Sequence, residues 1–453
     1  MKFDGYAILL NPFFLTFVTL FLGVWFGEWK RMGKMKFGVG GPLFIGIPLG
    51  WLCHRVASSI PEGGSGYKAA QSFLSSGAVP SDMRNLVLIL FVAAIGLLAS
   101  RDLKLVLKKY GVQFVVLGVV ITIAGAGLSY LSAFVMPGSN VFEASGIYTG
   151  ALTSSPGLGM AMESSEKQVL AMAGNFDSLN DAQKARFLRL YDPSGTLTSD
   201  NAGAIDKDKT DQAVKTATGH VGTGYAVSYP FGMLAVILAM LLIPKLCRID
   251  VQAELEAYRR ELARPDGEKE ALISVPFELK SFALVCTVGY LAGMVEIYLG
   301  PLGYFSLGSI GGVLLVSIGL GSAGKLGPFH FRMDSKVLGA IRDLTLACYI
   351  GMIGLSYGYQ VVDALVGSGL YLAAASLIIA FLCIAIGYLL GRRVFKLNWI
   401  LLSGAICGGM TSTPGLGMAI DTLECDDPAT GYAATYPSAL IGMVLFTNIM
   451  YNL

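Results

Sequence analysis

The sequence has few charged residues for its length. Only 14% of its 453 residues are charged, against about 25% in a typical soluble domain, while 54% are hydrophobic and the mean hydropathy is +0.62. A chain of this composition has too little polar surface to cover a soluble fold of its size. The composition therefore predicts an all-α polytopic membrane protein whose most extensive partner is the lipid bilayer.

The residues that bind metals or form disulfides are scattered along the chain. The seven cysteines include no CxxC pair, and the three histidines, His54, His220 and His330, lie far apart. This pattern supports neither a disulfide framework nor a zinc site. A formal net charge of +2 gives no basic surface for nucleic acid, and no nucleophile, base and metal ligands occur together. We therefore expect no metal, no cofactor, no nucleic-acid partner and no enzymatic activity.

The chain contains an internal repeat at an offset of 258 residues. Between residues 145–161 and 403–419, 11 of 17 positions are identical, where unrelated chains of this composition would share roughly one or two. The most similar stretch reads TSSPGLGMA from Thr153 in the first copy and TSTPGLGMA from Thr411 in the second. The chain is therefore predicted to consist of two copies of one membrane unit.

A second matching block shows that the first copy carries an insertion. GYAVSYP from Gly224 matches GYAATYP from Gly431 at an offset of 207. Because the offset falls from 258 to 207, the first copy has 51 additional residues, which lie within the polar run 164–223. The predicted organisation is a first membrane repeat over 1–245 that includes this insertion on the outer face, a cytoplasmic linker over 246–277, and a second membrane repeat over 278–453.

Each copy is predicted to have five membrane-spanning helices. Lysines and arginines are concentrated in alternate loops, which assigns those loops to the cytoplasm and the N-terminus to the outside. Because five is an odd number, the second copy is inverted relative to the first, and the TSxPG segments must each enter the membrane and return as a re-entrant segment. The predicted spans lie near 7–28, 37–54, 85–100, 111–135, 224–244, 278–298, 305–322, 338–357, 362–391 and 431–450.

The TSxPG segments predict a broken helix in each copy. Ser155 before Pro156 indicates an N-cap followed by proline in the first turn, so the preceding helix would end near Thr153 and a new one begin. The positive ends of the new helices would face each other near the membrane midplane. Hydroxyl groups, N–H groups and glycines that expose the backbone favour a small carboxylate. The candidate binding residues in these segments are Thr153, Ser154, Ser155, Pro156, Gly157, Gly159, Thr411, Ser412, Thr413, Pro414, Gly415 and Gly417.

Several residues around these segments have two interpretations. Arg84 and Arg342, which the offset pairs, open the third span of each copy, where they either counter a substrate carboxylate or reach the membrane interface. Glu163 and Asp421 close the re-entrant segments, where they either bind a cation or proton or solvate the helix ends. The tyrosines of the GYAxxYP blocks either border the site or form an aromatic belt. The segments themselves either bind substrate or serve as packing kinks.

The duplicated GxxTSxPGLGMA motif with a downstream GYAxxYP resembles the aspartate:alanine exchanger family of bacterial secondary transporters. The resemblance covers 85–163 with 224–244 and also 305–453. It implies a multi-pass protein of the bacterial inner membrane with two inverted repeats. It also implies exchange of amino acids such as aspartate and alanine, or export of dicarboxylates such as succinate. Many relatives carry cytoplasmic regulatory domains between the halves, whereas residues 245–273 are too few for such a domain.

Three functions remain open from the sequence. The first is antiport of small anionic or zwitterionic substrates by a homodimer, with elevator-like alternating access in which the broken helices move against the first two helices of each copy. The alternative is a sodium- or proton-coupled carboxylate symporter that uses Glu163 or Asp421. The third is a channel or a membrane-embedded sensor, and no repeated carbonyl filter or ring of charges supports a channel.

Overall fold

The computed structural model describes residues 5–28, 41–100, 103–135, 140–192, 197, 205–261, 275–295, 297–298, 304–305, 308–366 and 370–452. At some of these positions, Ser155 and Pro156 among them, only the backbone is described. Within these ranges the chain is almost entirely helical, and six helices are long and apolar enough to cross a membrane, with four shorter apolar helices beside them. The predicted all-α polytopic membrane fold is confirmed.

Each of the five predicted spans of the first copy corresponds to helix in the described residues. The first, 7–28, is divided at Leu10 and Asn11 into two helices, and residues 37–40 of the second lie outside the described residues. The last of the five begins earlier than predicted, at Lys207 instead of 224, because the side chain of Asp206 accepts the N–H of Lys209 at 2.8 Å and caps the helix inside the insertion. The helices of this copy are α1 (Gly5–Leu9), α2 (Pro12–Glu28), α3 (Gly41–Ser59), α4 (Tyr67–Ser76), α5 (Ser81–Ala99), α6 (Leu103–Val135), α7 (Val141–Ala151), α8 (Ser155–Gly174), α9 (Asp181–Tyr191) and α10 (Lys207–Leu246).

The second copy repeats this order of helices after a short helix in the linker. Its described helices are α11 (Val251–Glu261, in the linker), α12 (Leu279–Met294), α13 (Gly308–Ala323), α14 (Ser335–Val366), α15 (Leu370–Leu389), α16 (Trp399–Gly409), α17 (Thr413–Leu423) and α18 (Pro428–Asn452). One π-helical turn, Leu390–Val394, continues α15. Two short antiparallel hairpins flank α13: β1 (Ile297–Tyr298) with β2 (Tyr304–Phe305), and β3 (Lys325–Leu326) with β4 (Phe329–His330).

Helix α14 is longer than the sequence predicted. The predicted boundary between 357 and 362 is wrong, because α14 continues to Val366. Gly358, a residue that favours a helix end, instead allows a close crossing: a Cβ at this position would lie 2.2 Å from the carbonyl oxygen of Ile47 in α3. The glycine therefore serves contact between helices of the two copies.

Each broken segment returns toward the place where it began. In the first copy, Val141 at the start of α7 and Met172 near the end of α8 belong to the same buried cluster. In the second copy, residues 424–427 join the end of α17 to Pro428, whose carbonyl oxygen packs directly on Gly404 in α16. The α7–α8 and α16–α17 pairs are therefore helical hairpins with their breaks at the tips.

Small residues form two equivalent helix crossings between the copies. At the crossing of α3 and α14, a Cβ at Gly354 would lie 3.0 Å from the Cα of Gly46. At the crossing of α5 and α13, a Cβ at Gly96 would meet the hydroxyl of Ser317. Gly96 and Gly354 are the same position of the repeat, so the two crossings reproduce one another. From the sequence, helix contacts are predicted for the glycines at 38, 40, 41, 46 and 50 and at 308, 311, 312, 319 and 321. Gly46 makes such a contact, and positions 38 and 40 lie outside the described residues.

The linker helix α11 is tied to the start of α16. Glu254 forms an ion pair with both terminal nitrogens of Arg392, at 2.5 and 3.2 Å, and accepts the N–H of Trp399 at 2.8 Å. Its backbone carbonyl accepts from the side chain of Asn398 at 2.8 Å. A carboxylate near the N-terminus of a helix is favoured by the helix dipole. The linker therefore fixes the beginning of the second broken segment.

Candidate functional site

The first break begins where α7 ends at a left-handed threonine. Thr153 has φ +55°, and its N–H donates to the carbonyl of Gly150 at 2.9 Å. The N–H of the next residue, Ser154, donates to the carbonyl of Thr149 at 2.8 Å. Together these bonds form a Schellman motif, which usually has glycine at the left-handed position. A β-branched residue in this conformation is strained.

The second break has the same strained geometry. Thr411 has φ +50°, and its N–H donates to the carbonyl of Gly408 at 3.1 Å. The N–H of Ser412 donates to the carbonyl of Cys407 at 2.8 Å. Both copies therefore have a threonine at a position where glycine would adopt the backbone conformation without strain. This indicates that the threonine side chain has a function at the break.

The two threonine hydroxyls join the breaks to each other. The hydroxyl of Thr153 donates to the carbonyl of Met410 at 3.1 Å, and the hydroxyl of Thr411 donates to the carbonyl of Leu152 at 2.8 Å. Leu152 and Met410 are the same position of the repeat, so the bonds are reciprocal. A carbonyl at the end of a helix has no partner within the helix. Each threonine therefore satisfies an orphan carbonyl of the other copy.

The serines that follow the threonines cap the second helix of each hairpin. The hydroxyl of Ser154 accepts the N–H of Gly157 at 3.1 Å, and that of Ser412 accepts the N–H of Gly415 at 3.2 Å. The predicted N-cap at Ser155 is wrong by one residue, because the Schellman motif already places Ser154 in the extended conformation of a cap. Both capping serines are fully buried, so their hydroxyls hold helix ends.

The glycines of the two segments have different surroundings. A Cβ at Gly157 would lie 3.0 Å from the terminal methyl of Met443, and one at Gly415 would lie 2.2 Å from a methyl of Val236. These glycines allow each helix start to pack against a helix of the other copy, which differs from the predicted role of exposing backbone to a ligand. At Gly159, no atom of the residues that the structure describes lies within 4 Å of that point.

A cavity of about 330 Å³ lies between the breaks and the ends of several helices. Five of the predicted binding residues line it: Thr153, Thr411, Thr413, Pro414 and Arg84. The predicted residues Ser154, Gly157, Gly159, Ser412, Gly415, Gly417 and Arg342 are not among its lining residues. The side chains of Ser155 and Pro156 lie outside the described part of the chain. The structure therefore brings one arginine and both breaks to a single cavity.

Arg84 supplies positive charge to the cavity wall. Its guanidinium donates to the carbonyl of Val79 at 2.5 Å and to the hydroxyl of Ser356 at 3.0 Å. Both acceptors are neutral, and none of the described residues that line the cavity is acidic. Because an arginine stays charged at all ordinary pH values, the cavity has a full positive charge without an internal counter-ion.

Arg342, the repeat equivalent of Arg84, is instead paired with carboxylates. It contacts Asp343 at 2.8 Å and also Asp426, in the loop between α17 and α18. Its side chain is 17% exposed. The prediction grouped the two arginines as one kind of site residue, and the structure separates them: one faces the cavity and the other forms ion pairs away from it.

Sequence reasoning missed part of the cavity wall. Tyr349, Ile353 and Tyr357 line it from one face of α14, and the first residues of α13, Gly308 to Ile310, line it from another side. The spacing of four residues between the α14 positions was the available signal. The glycine at 308 was expected to be a helix contact, and it is one, since a Cβ at Gly293 in α12 would lie 2.2 Å from its carbonyl oxygen. It also begins a helix whose N-terminal turn borders the cavity. Tyr229 and Tyr436, the tyrosines of the GYAxxYP blocks, also line it.

The long apolar helices, the paired breaks and the cavity between them define a membrane transport protein. A family model described as a predicted permease membrane region matches residues 15–176 and 281–452, once in each copy. These ranges cover most of the chain, which therefore belongs to this family, the aspartate:alanine exchangers.

Similar proteins come from several bacteria. The chain is 34% identical over 168 residues to an uncharacterized transporter of Bacteroides thetaiotaomicron, and 36% identical over 169 residues to one of Bacteroides fragilis. An uncharacterized transporter of Desulfotalea psychrophila is 29% identical over 163 residues. The matches cover 36–37% of this chain and 30–32% of each relative. The chain therefore spans about a third of the length of the curated relatives that it matches.

Proposed function

We propose that the chain is an antiporter of small carboxylates whose substrate binds in the cavity between the two breaks. The observation that supports this most strongly is the placement of Arg84. Its guanidinium borders a cavity that has no acidic residue among its described lining residues. Arg84 is partly buried and its described hydrogen-bond partners are neutral, so its charge favours an anion that enters the cavity.

A second group of donors lies on the wall formed by the breaks. The start of α17, with Thr413 and Pro414, and the start of α13 both border the cavity. Helix N-termini favour negative charge because their N–H groups and dipoles point outward. A substrate with two acidic groups has one partner at Arg84 and another at these helix starts. This favours dicarboxylates and acidic amino acids over alanine.

The size of the cavity supports a small substrate. Ligand sites of proteins are commonly about 300–1,000 Å³, and this cavity, at about 330 Å³, lies at the lower limit. Its position between the two copies is the arrangement from which inverted-repeat transporters alternate access. In the proposed cycle the hairpins α7–α8 and α16–α17 move against α2–α3 and α12–α13, in a homodimer of the bacterial inner membrane. The N-terminus and the Arg84 end of the cavity face outward.

Counterflow in proteoliposomes tests the proposal. Vesicles that contain the purified chain are loaded with aspartate, alanine, succinate or buffer, and entry of labelled aspartate or succinate is measured with no ion gradient. Antiport predicts rapid entry only into vesicles that hold a partner substrate. Entry into buffer-loaded vesicles that requires an imposed sodium or proton gradient would instead establish symport. Of the two residues proposed for symport, Glu163 pairs with Lys167, and neither Glu163 nor Asp421 is among the described lining residues of the cavity.

Substitution of Arg84 tests the site. One lost hydrogen bond to a charged group costs about 1.5–3 kcal/mol, so Arg84→Gln should raise the apparent KM about ten- to 150-fold at 1.4 kcal/mol per decade. The apparent KM of Arg84→Lys should lie between those of the parent chain and Arg84→Gln, because lysine keeps the positive charge but lacks the planar guanidinium group. Arg55→Gln is the matched control, since Arg55 is exposed on α3 and does not line the cavity. An unchanged KM in Arg84→Gln would refute this placement of the substrate.

A further inference from the structure

The two copies differ at one equivalent pair of residues. The offset of 258 relates Leu88 in α5 to Leu346 in α14, and Gly159 in α8 to Gly417 in α17. A Cβ at Gly417 would lie 2.3 Å from a terminal methyl of Leu346, so these residues are in tight contact. Gly159 is exposed, and no atom of the described residues lies within 4 Å of the same point. The contact is therefore formed in one copy and absent in the other.

Neighbouring positions show the same difference. Met418 in α17 is 1% exposed, whereas its equivalent Met160 in α8 is only partly buried. Leu88 lines the cavity, whereas Leu346 is 1% exposed and is not among the lining residues. Helix α17 thus packs against α14, whereas the equivalent point of α8 makes no such contact with α5 among the described residues.

An ion pair holds the closed side. Arg342 near the start of α14 pairs with Asp426, which follows α17. On the open side, the equivalent Arg84 binds Val79 and Ser356, and neither acceptor belongs to α8. The start of α14 is therefore bonded to the segment after α17, and no bond of this kind from Arg84 reaches α8 in the described structure.

The breaks give a reason for the two sides to alternate. Because the hydroxyls of Thr153 and Thr411 bond the breaks to each other, a shift that draws α17 away from α14 also displaces α8. The sequences of the two copies are the same at the contact positions, leucine opposite glycine. Each copy therefore has the residues to form the contact that is present in the other.

We infer that Leu88 and Gly159 form the gate that closes the Arg84 side of the cavity when the contact between Leu346 and Gly417 opens. This inference rests on the proposed transport function, since a gate requires a substrate path. Only glycine leaves space for the leucine on the opposite helix, so the gate explains why both Gly159 and Gly417 are glycines. The cavity is then open on one side at a time.

Disulfide trapping tests the gate. Cysteine pairs at 88 with 159 and at 346 with 417 are made in separate chains, and the linked peptides are identified by mass spectrometry, so the native cysteines stay in place. A disulfide needs Cβ atoms about 3.5–4.5 Å apart. The 346–417 pair should link at once, and the 88–159 pair should link more slowly as the opposite state is visited. The mismatched pairs 88–417 and 346–159 should not link.

Loss of the ion pair should shift the balance between the gates. Asp426→Asn removes the carboxylate that pairs with Arg342, a partly exposed contact whose loss changes a population roughly two- to fivefold. The 88–159 link should then form faster by this factor and the 346–417 link more slowly. Glu256→Asn, at an exposed position of α11, is the control.

The outcomes separate this inference from the proposed function. If labelled substrate exchanges in the counterflow assay and the 88–159 pair never links, with or without aspartate or succinate, the gate assignment is wrong. If both pairs link but no counterflow occurs with any loaded substrate, the gate stands and the proposed antiport fails. Unchanged linking rates in Asp426→Asn would also count against the gate, because its closed side would then not depend on the ion pair.

Discussion

The bonds between the two breaks provide a substitution series in which each replacement has its own expected effect. Thr153→Ala removes the donor to the carbonyl of Met410. Thr153→Ser keeps this donor without the β-branched methyl group. Thr153→Gly loses the donor but relaxes the left-handed backbone, which has φ +55°. The same three replacements at Thr411 test the reciprocal bond to Leu152.

The expected magnitudes follow from burial and conformation. Thr153 is 5% exposed, and leaving a buried carbonyl without its donor costs about 1–3 kcal/mol. A left-handed conformation costs a non-glycine residue about 1–2 kcal/mol. Glycine removes this cost, but it also raises the conformational entropy of the unfolded chain, which destabilises the folded protein by about 0.4–1 kcal/mol. Thr153→Ala should therefore lower the free energy of unfolding by about 1–3 kcal/mol. Thr153→Gly should lower it by about 1 kcal/mol less than Thr153→Ala, and Thr153→Ser should change it very little.

Melting temperature and substrate affinity are measured together on each variant in lipid nanodiscs. The expected order of stability is serine, then glycine, then alanine, with substrate affinity changed far less than in Arg84→Gln. The double variant Thr153→Ala with Thr411→Ala should show a coupling energy of about 0.5–3 kcal/mol, because the two bonds share one contact between the breaks. Alanine variants that melt like the parent chain but bind substrate ten times more weakly would refute this account. The hydroxyls would then be substrate ligands.

Two further substitution pairs test the packing of the second copy. Gly417→Ala should lower the melting temperature, since its Cβ would lie 2.3 Å from a methyl group of Leu346. Gly159→Ala should leave the melting temperature unchanged, because no described atom lies within 4 Å of its Cβ position. Equal effects of the two substitutions would contradict the difference between the two copies. Glu254→Gln should lower the melting temperature much more than Glu256→Gln. The Glu254 side chain is 16% exposed and accepts a hydrogen bond from the start of α16, whereas the Glu256 side chain is 66% exposed. Similar melting of these two variants would show that α11 does not fix the second broken segment.

The repeat made the breaks predictable. An offset of 258 with TSxPG in both copies was enough to predict two interrupted helices, because a hydroxyl residue followed by proline is a signal for the start of a new helix. Arg84 was predictable as a candidate because the offset pairs it with Arg342 and both arginines open the third span of their copy. The packing roles of glycines such as Gly46 followed from their number in otherwise apolar helices.

Other features depend on contacts that a linear sequence does not contain. Nothing in TSSPG indicates that Thr153 adopts a left-handed conformation, since this choice is stabilised by a carbonyl 257 positions away in the chain. The residues that follow the two arginines, Asn85 and Asp343, were a signal that the arginines differ, because Asp343 pairs with Arg342. The second partner of Arg342, Asp426, lies 84 positions away in the chain. Only the packing of one conformation places one arginine at the cavity and the other in ion pairs.

The reciprocal bonds between the breaks also constrain how the chain is made. The carbonyl of Leu152 receives its donor from Thr411, and the hydroxyl of Thr153 reaches its acceptor at Met410, 257 positions later in the chain. At about 5–20 residues per second, a ribosome needs roughly 13 to 50 s to synthesise that length. Throughout this interval the first half is in the membrane with an unsatisfied helix end. A nascent chain that stops before α16 should therefore be recognised by membrane proteases as incomplete, even though each of its own helices has been inserted.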